Sequence, residues 1–194
     1  RPSGLNNSKL RFLLPFVLVL AVAAIACGSS SSESGSSIVG DESSSSGGLA
    51  SDFVITMFQG EDVVGGQEVS LHSLFGEKPI VINFWAGLCP PCRAEMPDLQ
   101  EFNQKFQGRT LLVGVDLGQF TGLGTEQDAR NLLAELEATY PAGSTSDPDV
   151  IRDYKVLGMP TTIFIDRDGK IFNKWTGALN GAFLEETTLE MLVQ

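Results

Sequence analysis

Basic residues are scarce in this 194-residue chain: 13 Lys and Arg stand against 24 Asp and Glu, a formal net charge of −11. Three of those bases precede Cys27 and no acid does, which leaves 10 bases against 24 acids beyond it, a net of −14. A surface of that sign repels phosphate backbones, and no basic or aromatic-basic patch offsets it, so nucleic acid is excluded as a partner. Histidine is nearly absent, with His72 alone. Setting Cys27 aside, Cys89, Cys92 and His72 fall short of the four ligands of a structural zinc site. His72, 17 residues ahead of Cys89, reads as a surface or packing residue. No GxGxxG is present: "GQFTGLG" at 118–124 has the wrong spacing for a phosphate cradle and reads as a loop. Asp166 and Asp168 do not make a calcium loop, because Gly177 stands where the bidentate acid is needed. That segment reads as a turn. Metals and cofactors are therefore not expected.

Long apolar runs are also missing. The longest, Phe12 to Ala26, is broken by Pro15 and falls short of the ~20 residues of a membrane helix. It follows Arg1, Lys9 and Arg11 and ends in small residues before Cys27-Gly28. That is the pattern of a secretory signal, with an uncleaved anchor as the alternative. Three cysteines leave an odd one in an exported protein. Ala24-Ile25-Ala26-Cys27 resembles the lipobox of bacterial lipoproteins, with Ala24 where Leu is usual. The resemblance implies a lipidated Cys27 and a domain held at the membrane of the cell envelope, facing outward. Residues 28–51 are half serine, with five glycines and no aromatic. They cannot bury enough apolar surface to order themselves and read as a flexible tether of roughly 25–30 Å r.m.s. reach.

Residues 52–194 alternate short apolar strands with helical patterns, an α/β domain. An opening strand is expected at 52–58 and a short hairpin around Gly65-Gly66 and 69–71. "PIVINFW" at 79–85 is short and almost uniformly apolar, as a strand covered on both faces is. A helix follows from Pro90, with Met96, Leu99, Phe102 and Phe106 on one face and Gly108 as its stop. Further elements are a strand at 110–116, a helix at 126–140 sharing Leu132, Leu133, Leu136 and Tyr140 on one face, and a short helix at 148–154. A hairpin at 161–166 and 170–175 turns on Asp168-Gly169, and a terminal helix spans 181–192. This order, with Cys89-Pro90-Pro91-Cys92 opening the first long helix, is that of a thioredoxin-like fold: a central mixed sheet flanked by helices.

A thiolate is the nucleophile of disulfide exchange, and a free thiol with pKa near ~8.5 is mostly protonated at neutral pH. The unpaired N–H groups and positive dipole end of a helix stabilise an anion there. Cys89, just ahead of the first turn and expected to be partly exposed, is placed to attack. Pro90 and Pro91 suit the first helical positions. Cys92, one turn in and more covered, is placed to resolve the mixed disulfide. An inert disulfide remains open on spacing alone, although so small a loop would stabilise little.

"NFWAGLCPPCRAEMP" at 83–97, "YPAGSTSDPDVIRDYKVLGMPTTIFIDRDGKI" at 140–171 and Gly177 resemble the TlpA/ResA-like thiol-disulfide oxidoreductases, membrane-tethered thioredoxin-fold proteins of the bacterial envelope. The resemblance covers essentially all of 52–194. It implies a redox-active Cys89–Cys92 pair, a cis bond at Met159-Pro160 beside it, and substrate contacts from Met159, Pro160, Thr161 and Trp85. It further implies that Glu95 tunes thiol ionisation and proton transfer; a solvated carboxylate in the helix's first turns is the plainer reading. Pro97 is shared with the family and is expected to bend the helix. Two residues depart from the thioredoxin pattern. Asn83 replaces a buried aspartate, which leaves a proton relay to Glu95 or water, and Leu88 replaces a tryptophan before the first cysteine.

The function expected is reduction of protein disulfides, with cytochrome c maturation as the family association and a membrane thiol reductase as electron donor. Three readings compete. A peroxiredoxin-type peroxidase needs Pro-x-x-x-Thr/Ser-x-x-Cys, which the residues before Cys89 do not supply. A copper-binding assembly chaperone needs His72 beside the cysteines. An idle binding module would not need an intact CPPC.

Overall fold

The computed structural model describes residues 47–194. In chain order these form β1 (Val54–Gln59), α1 (Glu61–Val64), β2 (Glu68–Ser70), a 3-10 turn (Leu71–Leu74), β3 (Ile80–Trp85), α2 (Pro90–Phe106) and β4 (Leu111–Asp116). There follow α3 (Gly118–Thr121), α4 (Glu126–Glu135), β5 (Ala142–Ser144), α5 (Asp149–Asp153), β6 (Thr161–Ile165), β7 (Ile171–Thr176) and α6 (Gly181–Leu192). The strands build one seven-stranded mixed sheet in the order β2-β1-β5-β4-β3-β6-β7. β3, β4 and β5 run parallel, while the remaining neighbours are antiparallel. This is the thioredoxin-like α/β architecture expected from the order of elements.

The central strand explains how the layers are held. Every residue of β3 is buried, and side chains alternate between its faces. Ile80, Ile82 and Phe84 join Val113, Val115, Ile163 and Tyr154 in one apolar cluster. Val81 and Trp85 join Met96, Leu99 and Phe102 of α2, Leu132 and Leu133 of α4, and Leu184 and Met191 of α6 in the other. Asn83 falls in the second set by the same alternation, a polar residue aimed at α2 from the middle of the sheet. α2 continues through Pro97, which lacks the N–H that would otherwise close a helical turn there.

Four expectations need correction. The helix expected over 126–140 stops at Glu135: Glu137 adopts a left-handed φ of 51°, and Tyr140 leads into β5 instead of completing a helical face. β5 itself was not legible, since Ala-Gly-Ser carries no β-branched or aromatic residue. The "GQFTGLG" segment contains the short helix α3. The domain also begins before Asp52, so the tether assigned to 28–51 overlaps it. Gly47 N–H donates to Ile171 O at 3.0 Å, Ile171 N–H to Gly48 O at 3.1 Å and Ala50 N–H to Gly169 O at 2.8 Å. Ala50 is buried. The open edge of β7 supplies partners that a serine-rich composition does not reveal. The signal or anchor, Cys27 and the tether up to residue 46 lie outside the described residues. Among the described residues no helix is long and apolar enough to cross a membrane.

Candidate active site

β3 ends at Trp85, and the turn Ala86-Gly87-Leu88 delivers Cys89 as the N-cap of α2, with φ −92° and ψ 108°. Its Sγ accepts the Cys92 N–H at 3.2 Å. Pro90 and Pro91 occupy first-turn positions, where no helical N–H is required. Cys89 and Cys92 are joined by a disulfide across a Cα–Cα distance of 5.3 Å. Leu88 N–H reaches Leu123 O at 2.8 Å and Cys89 N–H reaches Ala86 O at 3.2 Å. Gly87 has to be glycine: a Cβ there would stand 2.4 Å from the Ala129 nitrogen in the first turns of α4.

Cys89 was expected to be partly exposed, and it is not. It is 2% exposed and Cys92 0%. Both lie in the apolar cluster of Trp85, Ala86 and Met96, with Leu123 and Met159 packed against it. The Cys89 sulfur, bonded to Cys92 over the helix start, lies below the surface. What remains outside is an apolar rim: Leu88 at 60% exposure, Pro90 and Pro91.

Met159-Pro160 is cis. Because Phe84 pairs with Thr161, the cis bond lies where β3 ends, level with Trp85. Pro160 O accepts from Gly177 N–H at 2.8 Å, and Met159 is half-buried. Thr161 and Trp85 need correction as substrate contacts, since both are 0% exposed. The Thr161 hydroxyl donates to Gly158 O at 2.7 Å, and the Trp85 indole lies over Gly114 beside Tyr140. They support the site from below.

Glu95 is not a solvated carboxylate. It is 2% exposed, one turn after Cys92 on the buried face of α2. Oε1 accepts from Asn83 Nδ2 at 2.7 Å and Oε2 from Leu179 N–H at 3.0 Å. Burial raises its pKa to about 7, with Asp98 adding to the lift and the Leu179 and Asn83 hydrogen bonds opposing it. Asn83, which also donates to Thr162 Oγ1 at 3.1 Å, thus anchors the acid. His72 is engaged elsewhere: its Nε2 lies 2.7 Å from Ala50 O, and its ring packs 4.9 Å from that of Phe75.

Sequence reasoning missed Asp116. It is 2% exposed, and burial raises its pKa to about 6. An acid ending a strand is usually solvated. The available signal was register: parallel β3 and β4 place Asp116 opposite Trp85, at the carboxyl edge where α/β sheets build their sites.

Residues 47–174 match the AhpC/TSA family. Over 133 residues the chain is 34% identical to the thiol-disulfide oxidoreductase ResA of Oceanobacillus iheyensis, covering 69% of this chain and 66% of that one. Its fold is similar to that of a thiol:disulfide interchange protein DsbE from Chlorobium tepidum, with TM-score 0.61 and 30% identity over 77% of this chain and 99% of that one. It is also similar to the exposed lipoprotein thioredoxin of Streptococcus pneumoniae, with TM-score 0.61 and 25% identity over 72% and 99% of the two chains. With the disulfide at the start of α2 and the cis-proline level with the end of β3, these likenesses lead to one assignment: the chain belongs to the AhpC/TSA family, among its ResA-like thiol-disulfide oxidoreductases.

Proposed function

We propose that this enzyme is an outward-facing, membrane-tethered reductant of protein disulfides. The observation that carries the reading is Cys89 as N-cap of α2, its sulfur accepting a helix N–H at 3.2 Å, where the helix terminus favours a thiolate. The Cys89 thiolate attacks one sulfur of a client disulfide, and the client's other sulfur leaves as a thiolate. Cys92, deprotonated, then attacks Cys89 Sγ, releasing the client's remaining thiolate and closing the Cys89–Cys92 bond. Two electrons pass to the client. Glu95, with a pKa near neutrality and one turn from Cys92, is suited to take up and return the proton of the resolving thiol. Met159, half-buried beside the buried Pro160, presents the surface on which a client strand lies.

Tethering rests on the run from Phe12 to Ala26 and on Cys27 as the lipidated residue. Apocytochromes or their assembly factors are the proposed clients, and a membrane thiol reductase restores the dithiol. A peroxidase reading gains nothing from the site: Ile82 and Ala86 stand where Pro and a hydroxyl residue are required.

The test is the reduction potential, from the fraction of Cys89–Cys92 oxidised in graded thiol-disulfide buffers. A value near or below about −270 mV, the thioredoxin end of the known range, supports the reductase. A value near about −120 mV reverses the direction and makes the protein a disulfide donor.

A further inference from the structure

The segment that joins α5 to β6 carries Met159 and the cis-proline, and β7 holds it at both ends. α5 closes with Lys155 in the left-handed region, at φ 49°. Lys155 N–H reaches Arg152 O at 3.1 Å and Val156 N–H reaches Ile151 O at 2.8 Å, the two bonds of a Schellman cap. Glycine suits the left-handed position of such a cap, and a side chain there opposes it. Neither bond uses the carbonyls of Tyr154 and Lys155. Lys174 of β7 takes both: its Nζ donates to Tyr154 O at 2.9 Å and also to Lys155 O.

At the other end, Gly177 N–H, just past β7, donates to Pro160 O, and the Thr161 hydroxyl donates to Gly158 O. Between these anchors lie Leu157, 88% exposed, and Met159, which packs against the cluster holding Cys89 and Cys92. Lys174 stands opposite Ile163, and Ile163 opposite Ile82. Cross-strand partners share a face, so Lys174 lies on the side of the sheet where Tyr154 packs with those two residues. The cysteines lie on the other side, with α2. Lys174 therefore reaches the site through the segment it holds.

We propose that Lys174 is a positioning residue for client capture: by tying the end of α5 to β7, it fixes the 156–159 segment, and with it Met159, where a client strand meets the Cys89–Cys92 pair. The proposal rests on the reading of Met159 as a client contact. Without the ammonium, both carbonyls lose a charge-assisted donor, and nothing offsets the left-handed Lys155. The segment then samples other positions. A client strand lying along it binds only the molecules that keep it in place, whereas a small disulfide that needs Cys89 alone is indifferent.

The test is single-turnover oxidation of the reduced full-length chain by two disulfides, insulin and hydroxyethyl disulfide. Lys174→Met should react about three- to tenfold more slowly with insulin, the range set when about a third to a tenth of molecules hold the segment in place. Its rate with hydroxyethyl disulfide should equal that of wild type. Lys78→Met is the control. It removes the same charge and a comparable bond, from Lys78 Nζ to Gln107 O at 2.9 Å, ahead of the far end of β3, and should change neither rate. An insulin rate unchanged in Lys174→Met, a loss shared by both disulfides, or an equal loss in Lys78→Met overturns the proposal. A purely structural Lys174 would shift the urea midpoint and leave the ratio of the two rates unchanged. Lys174→Gln, which lacks the charge but keeps a polar side chain, is read by the same ratio should Lys174→Met not fold. Wild type that reacts with hydroxyethyl disulfide and not with insulin would instead sink the reading of protein disulfides as clients, a failure distinct from an unchanged ratio.

Discussion

Replacing Glu95 with Gln should remove a loss of stability that sets in as the pH rises, and the size of the effect follows from the geometry. The carboxyl is buried on α2 with two donors, Asn83 Nδ2 and Leu179 N–H, yet desolvation outweighs them and lifts the pKa from 4.5 to about 7. A group whose pKa is raised on folding favours the protonated fold. Its contribution is complete below pH 4.5 and is lost as the pH rises through 7. The lift corresponds to roughly 3 kcal/mol between the two limits. Gln cannot ionise, so this loss disappears. Its amide keeps one acceptor oxygen for two donors, a constant cost of about 1 kcal/mol. Asn83 can lessen that cost by turning its unpartnered Oδ1 toward the new amide. Urea denaturation of the oxidised proteins from pH 4 to 9 should find wild type the more stable at pH 4. The two curves should cross between about pH 5 and 6, with the variant ahead by about 2 kcal/mol at pH 9. Asp116 titrates in both proteins and cancels in the difference. A difference that stays flat across this range would refute the account of Glu95 as a desolvated acid.

Three further outcomes are expected. Gly87→Ala places a Cβ 2.4 Å from the Ala129 nitrogen and should cost about 1–3 kcal/mol of overpacking in urea denaturation; Gly108→Ala, with open space around it, serves as the control, and equal stabilities would count against the close approach of the turn to α4. Asn83→Asp sets a second buried carboxyl against Glu95. The pair then resists full ionisation, so stability should fall more at pH 8 than at pH 5, and a pH-independent loss would refute the pairing. Thr161→Val removes the donor to Gly158 O and should cost about 1 kcal/mol; unchanged stability would show that this hydrogen bond does not hold the Gly158–Met159 segment.

Much of the fold was legible because its central elements obey simple periods. "PIVINFW" reads as a doubly covered strand, and the 3.6-residue spacing of Met96, Leu99, Phe102 and Phe106 gives the buried face of α2. The terminal helix 181–192 agrees residue for residue with α6. What escaped depends on tertiary context. β5 is a strand because β1 and β4 offer it their edges, not because Ala-Gly-Ser prefers to be one. The cysteine pair and the proline at 160 were visible as residues. The burial of Cys89, and of Thr161 and Trp85 beneath it, was not, since burial is decided by what packs over a residue. Asp116 was hidden for the same reason: its chemistry comes from strand register with Trp85, which no local pattern encodes.

Glu95 and Asp116 have a joint consequence for the reduced enzyme. One stands a turn after Cys92 and the other opposite Trp85 at the end of β3, and burial raises the pKa of both. Reduction adds two thiols to the same apolar surroundings, where the start of α2 favours an anion. Each negative charge then raises the pKa of the others, and the thiol titration belongs to the group rather than to Cys89 alone. Glu95→Gln separates two accounts of the acid. If Glu95 acts through its charge, its removal eases thiolate formation: the apparent thiol pKa from alkylation should fall, with resolution of a mixed disulfide unimpaired. If it also carries the proton of Cys92, the pKa should still fall, but the resolution step, followed by stopped-flow release of a labelled client thiol, should slow at neutral pH. A thiol pKa that rises in the variant would defeat both accounts, because in both the ionised carboxylate opposes the thiolate.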